Sequence, residues 1–176
     1  MNIVEKARVF ATAAHAAVGQ VRKYTFEPYI VHPKEVAGIV ASVPHTREML
    51  AAAWLHDTVE DTEVTLDLIR TEFGDTVAEL VGWLTDVSRP EDGVRSVRKA
   101  IDRAHSAQAP AEAQTVKVCD LLSNTKSIAA HDPEFARVYL AEKRELLAVL
   151  TKADPGILAE AYRVLDESDR TLQLSK

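Results

Sequence analysis

With one cysteine, Cys119, the chain has no possible intrachain disulfide, and this suits a reducing compartment. Long apolar runs are missing too. Glu5, Lys6 and Arg8 interrupt the N-terminus early, and no stretch reaches the roughly 18 apolar residues of a membrane span, so neither an export signal nor an anchor is expected. A basic excess is also absent. The net charge of −6 argues against a nucleic-acid polymer as partner, yet leaves room for a small anionic ligand held by a few local cations. Aromatic residues, glycine and proline are sparse, while Ala, Leu, Glu and Arg recur at helical spacing, and the combination predicts an all-α protein. At 176 residues the expectation is one soluble, cytoplasmic domain covering 1–176.

About nine helices are predicted along the chain, over 2–18, 32–43, 46–60, 65–74, 75–84, 94–107, 110–130, 133–150 and 155–172. Gly19 ends the first. Thr65, Asp132 and Asp154 read as start signals, the last two reinforced by the prolines that follow them. Between the first two helices lies a long loop, 20–31, containing Arg22, Lys23, Tyr24, Phe26 and Tyr29. Irregular loops of that length in compact domains are often functional. The three aromatics either pack the loop or line a base site, and Pro28 favours packing for Tyr29. The 94–107 helix is amphipathic and basic through Arg95, Arg98, Lys99 and Arg103, and a solvated basic face is its expected state.

The most informative stretch is 51–62, in which five apolar residues run into His56-Asp57 and then Glu60-Asp61. In a continuous helix His56 and Glu60 share a face, as do Asp57 and Asp61. Three carboxylates so close together repel unless a cation sits among them or one stays protonated. A second His-Asp pair, His131-Asp132, precedes Pro133 and Glu134 and reads as a helix cap instead. Further ligands are sought before and after the first pair. His32, at a loop-to-helix junction, is the candidate upstream, with a capping role as its alternative. Downstream, Lys117, Asp120, Asn124 and Ser127 form a polar stripe on an otherwise apolar helix. Asp120 there is either a ligand or half of a salt bridge. Two imidazoles and two carboxylates suit Mn²⁺ or Fe²⁺, and Zn²⁺ less well.

His32, His56-Asp57 and Asp120, in that order, resemble the HD phosphohydrolase superfamily. The runs 14–23, 28–37, 55–62, 73–81 and 117–124 are similar to the hydrolase domain of RelA/SpoT proteins and the small alarmone hydrolases, over roughly 5–130. The resemblance implies an all-helical HD bundle and Mn²⁺-dependent removal of the 3′-pyrophosphate of guanosine tetra- or pentaphosphate. It implies His32, His56, Asp57 and Asp120 as metal ligands and Glu60 and Asp61 as the acidic pair that manages the attacking water. Arg22 would lie on the purine, with Lys23 its basic neighbour and Asn124 a ribose contact; Lys117, on the Asp120 stripe, is a further cation for the phosphates. No synthetase domain is expected within this length.

Departures from the family pattern gather around substrate recognition. One extra residue separates Arg22 from His32, and Tyr24-Thr25-Phe26 replaces a segment that normally contains glycine. Asp86, Leu121 and Ser123 stand where the family usually has Lys, Arg and His. Two other readings therefore stay open: an HD phosphohydrolase acting on another nucleotide phosphate, such as the 2′-phosphate of NADPH, an adenine alarmone or a nucleoside monophosphate, and a non-catalytic nucleotide-binding protein.

Overall fold

The structure is a computed structural model that describes residues 2–174. The described residues are all-α, and an isolated antiparallel bridge between Val21 and Pro28 is the only extended pairing among them. No helix among them is long and apolar enough to cross a membrane. The chain forms two compact units, Met1–Thr85 and Asp86–Lys176.

The first unit contains α1 (Ile3–Ala17), α2 (Val31–Val40), α3 (Arg47–Leu55), α4 (Thr58–Asp61), α5 (Leu66–Phe73) and α6 (Asp75–Leu84). Local side chains start three of these helices. Asn2, Thr46 and Thr65 accept from the amides of Glu5, Met49 and Leu68 at 2.9, 3.1 and 3.2 Å, satisfying donors that the first turn leaves unpaired. Gly74, at φ 87°, makes the left-handed junction between α5 and α6. The central helix is α3, which packs on α1, α2 and α6. After Arg47 and Glu48 in its first turn it is apolar all round, with every residue from Ala51 to Leu55 buried, as befits a helix enclosed by others.

One expectation needs refinement. The helix anticipated over 46–60 is divided: α3 stops at Leu55, a turn carries His56 and Asp57, and α4 follows. The cause is local competition for carbonyls. His56 Nδ1 reaches Ala53 O at 2.8 Å, and Thr58 Oγ1 donates to Leu55 O at 2.7 Å. In a continuous helix those two oxygens would have received the amides of residues 57 and 59. The His-Asp pair thus sits at a break in the helix rather than within it.

The second unit holds a 3₁₀ turn (Pro90–Asp92), α7 (Arg95–Gln108), α8 (Ala111–His131), α9 (Pro133–Leu147) and α10 (Pro155–Leu174). Helices α8, α9 and α10 pack mutually around Leu121, Leu140, Leu147 and Leu165. Asp132 caps α9 by accepting from the Phe135 amide at 3.1 Å, so the second His-Asp pair is the helix start that the sequence suggested. The basic face of α7 departs from expectation. It is pinned by ion pairs, Arg95 to Glu142 in two 2.8 Å contacts, Arg103 to Glu145, and Lys99 to Asp86 at 2.9 Å. Its acidic partners Glu142 and Glu145 lie more than 40 residues away, which the local pattern of α7 cannot reveal.

Gln114 closes this unit from inside. Fully buried, its amide nitrogen lies 3.2 to 3.3 Å from the carbonyls of Ser106, Ala107 and Ala109, and its oxygen accepts from the Lys152 amide at 2.8 Å. Replacing it with leucine fills the space but takes the acceptor from the Lys152 amide and the donor from Ala107 O, while Ser106 O and Ala109 O keep the Ala109 amide and Lys152 Nζ. We expect Gln114→Leu to destabilise the protein by about 1–3 kcal/mol, read as a lower urea midpoint with an unchanged m-value.

Candidate active site

The end of α3 and the start of α2 bring three candidate ligands together. His32 lies in the first turn of α2, while His56 and Asp57 occupy the break after α3. The two Nε2 atoms are 3.2 Å apart, and Asp57 Oδ2 lies 3.0 Å from His56 Nε2 and 3.5 Å from His32 Nε2. Both imidazoles are buried, at 1% and 3% exposure, so their facing nitrogens are withheld from bulk water. Tyr29 OH donates to the same Asp57 oxygen at 2.6 Å.

The tautomer of His56 follows from its neighbour. A carbonyl only accepts, so the contact with Ala53 O makes Nδ1 the protonated nitrogen. In the neutral ring Nε2 then presents a bare lone pair toward His32 and Asp57, the posture of a metal-ligating imidazole whose other nitrogen is held by a carbonyl. These three residues form a group whose ligand atoms lie within 4.8 Å of one another. An N₂O set of this kind fits a divalent cation, and the cation would relieve the crowding of acceptors.

Around this centre, α4 places Glu60 and Asp61 at the surface. Asp61 is tethered, because Gln20 Nε2 donates to its Oδ2 at 2.8 Å, and Gln20 Oε1 in turn meets His15 Nδ1 at 2.6 Å. His15 is buried, and burial pushes its imidazole below the usual range, against the opposing pull of Gln20, Asp57 and Asp61. Its ring lies against Tyr29, with centroids 4.7 Å apart. Tyr29 therefore does more than the packing expected from its proline neighbour, since its hydroxyl orients Asp57.

The 20–31 loop is closed on itself. Arg22 N donates to Glu27 O at 2.9 Å and Phe26 N to Arg22 O at 3.0 Å, with Phe26 at the tip in the left-handed region, φ 59°, and 76% exposed. Phe26 thus neither packs the loop nor enters the core. The Arg22 guanidinium carbon stands 5.9 Å from the centroid of the Tyr29 ring, and Lys23 Nζ lies 4.8 Å from that of Tyr24. Through Tyr29, the loop arginine and the Asp57 carboxylate share one support.

Lys117, Asp120 and Asn124 stand half-buried on α8 of the second unit, where the Asn124 amide donates to Asp120 Oδ1 at 2.7 Å. Lys117 Nζ is 3.6 Å from Asp86 Oδ1. Burial alone would raise Asp86, but Lys117 and Lys99 hold its carboxyl below the ordinary range. Lys143 of α9 belongs to the same charged cluster and was not apparent from the sequence. Burial pushes its ammonium down to about 8, opposed by Asp120 and Asp86 and aided by Lys117 and Lys99. His15 and Gln20 were likewise missed as working residues: they are five apart across Gly19, a spacing with no helical meaning.

A family model described as an HD domain matches residues 7–164. A probable GTP pyrophosphokinase of Mycobacterium leprae is 36% identical over 151 residues, covering 85% of this chain and 19% of the relative. A guanosine-3′,5′-bis(diphosphate) 3′-pyrophosphohydrolase of Aquifex aeolicus is 33% identical over 150 residues, covering 84% and 21%. The chain thus spans about a fifth of the length of these relatives. Among solved structures, one described as a metazoan ortholog of SpoT that hydrolyzes ppGpp and plays a role in starvation responses matches with a TM-score of 0.80 at 26% identity, covering 97% of this chain and 96% of that one.

If Tyr29 orients a ligating carboxylate, losing its hydroxyl weakens metal binding without unfolding the protein. Tyr29→Phe should lower Mn²⁺ affinity about tenfold or more, measured by calorimetric titration, with helical content unchanged.

Proposed function

The chain belongs to the HD-domain family, and on that premise we propose that it is a divalent-metal-dependent hydrolase that removes the 3′-pyrophosphate of guanosine tetra- or pentaphosphate, converting ppGpp to GDP and pyrophosphate. The observation that carries the reading is the mutual approach of His32, His56 and Asp57, with Nε2 of His56 left bare by its contact to Ala53. These three residues would hold the ion, with Mn²⁺ as the proposed metal. Asp120 is proposed as a further ligand on the sequence pattern alone. Bound there, a divalent ion makes water more acidic and neutralises phosphoryl oxygens as charge develops.

The protein's own groups do the rest. Glu60 and Asp61 are exposed carboxylates beside the ligand set in sequence, suited to taking a proton from the attacking water, a task that typically contributes about 10²- to 10⁴-fold. Arg22 is proposed to lie on the purine, because a guanidinium stacks on π-systems and this one already leans on Tyr29. Lys23, Lys117 and Asn124 are proposed for the remaining phosphate and ribose contacts. We further propose that residues 1–176 act as one catalytic domain and that the protein works in the cytoplasm on a small anionic nucleotide.

A second reading keeps the chemistry and changes the nucleotide. It is favoured by Asp86, whose carboxylate draws the charge of Lys99 and Lys117 to itself and so leaves less for a highly phosphorylated ligand.

A panel of nucleotides offered with Mn²⁺, with pyrophosphate and orthophosphate measured separately, decides between the two. We expect pyrophosphate from guanosine tetraphosphate; release of either product from other nucleotides, with none from guanosine tetraphosphate, would establish the second reading. Asp57→Ala should bring turnover to background while the circular dichroism spectrum stays helical, and surviving activity would remove Asp57 from the ligand set.

A further inference from the structure

Gln20 makes contacts on three sides. Its amide proton bonds to His15 O at 3.1 Å, its carbonyl accepts from the Tyr29 amide at 3.2 Å, and its side chain spans from His15 to Asp61. The orientation of that side chain is dictated by chemistry. An ionised carboxylate only accepts, so the amide nitrogen must face Asp61, and the amide oxygen must face His15. His15 Nδ1 must then carry the proton it donates. In the neutral ring Nε2 is left bare, and that atom is buried with no hydrogen-bond partner among the described residues. A protonated Nε2 would leave an N–H there unsatisfied, a state that burial penalises.

We propose that His15 and Gln20 are a positioning pair: neutral His15, protonated at Nδ1, locks the Gln20 amide so that it holds one oxygen of Asp61 and aims the other at the attacking water. The role assigned to Asp61 rests on the phosphohydrolase reading above. The physical need is plain. Asp61 sits on a four-residue helix at the surface, where a free carboxylate would sample several rotamers, whereas a base must keep its lone pair on the reacting proton. Gln20 also links Asp61 to Asp57, because the Tyr29 backbone that it receives bears the hydroxyl held by Asp57.

Three variants separate positioning from packing. Gln20→Leu should lower kcat about tenfold or more while KM moves by less than about threefold. His15→Asn keeps a donor near the position of Nδ1, whereas His15→Phe keeps the ring against Tyr29 and loses the donor. Positioning therefore predicts that the asparagine variant retains kcat to within about threefold and the phenylalanine variant loses about tenfold. The reverse order, or an unchanged kcat in Gln20→Leu, overturns the proposal.

Long-range ¹H–¹⁵N correlation of the wild-type protein gives a readout independent of turnover. It should show His15 as the neutral tautomer protonated at Nδ1, and an Nε2–H ring overturns the proposal. A protein that hydrolyses no nucleotide but shows the Nδ1–H ring, lost in Gln20→Leu, overturns the functional reading and supports only the hydrogen-bond chain from His15 through Gln20 to Asp61. Hydrolysis of guanosine tetraphosphate with kcat unmoved in Gln20→Leu does the opposite.

Discussion

The site depends on three potential ligand atoms forced into one small space. His32 Nε2, His56 Nε2 and Asp57 Oδ2 stand 3.0 to 3.5 Å apart, with both rings buried. The bare Nε2 of His56 and the Asp57 carboxylate both present lone pairs there, a crowding that is costly unless a proton or a cation lies among them, because little water can reach the imidazoles. A cation would offset that repulsion by attracting all three atoms at once. The residues nearest the centre make sense on this basis: Tyr29 donates to Asp57 from the outside, and Ala53 takes the only proton of the neutral His56 ring.

That convergence is a consequence of how α3 is built. Ala51, Ala52 and Ala53 have no exposed surface, and short side chains let helix backbones pack closely around α3. The helix then ends because His56 and Thr58 use their side chains on the last carbonyls, which turns Asp57 out of the helical path and toward His32. The bond from His56 to Ala53 O therefore both ends the helix and sets the tautomer of a proposed ligand.

What the sequence revealed tracks how local each signal is. Asn2, Thr46, Thr65, Asp132 and Asp154 act within three residues of themselves, and the helix starts they mark were legible to within a residue or two. The grouping of His32 with His56-Asp57 was legible as a motif, since residue type and order carry it. The break inside 46–60 was not, because alanine, leucine and glutamate all favour continuing the helix and only the side-chain bonds to Ala53 and Leu55 oppose it. The basic face of α7 was misjudged for a different reason: the carboxylates of Glu142 and Glu145 that hold it arrive through folding from another helix. Tyr29 was read as packing because Pro28 beside it says nothing about a carboxylate 28 residues away.

Burial divides the labour between the two kinds of acidic group in the first unit. Asp57 is partly enclosed and reached from several sides, so its position is over-determined by Tyr29 and the two imidazoles. Glu60 and Asp61 are exposed, and exposure leaves a carboxylate open to water at the expense of fixed geometry. A tether must then come from somewhere rigid. For Asp61 it comes from Gln20, anchored by its own backbone between the end of α1 and the start of α2 and by a histidine buried in α1. For the proton-accepting role proposed for Asp61 a neutral amide is suited, because a lysine or arginine in its place would form a stronger, charge-assisted bond and depress the basicity of the carboxylate.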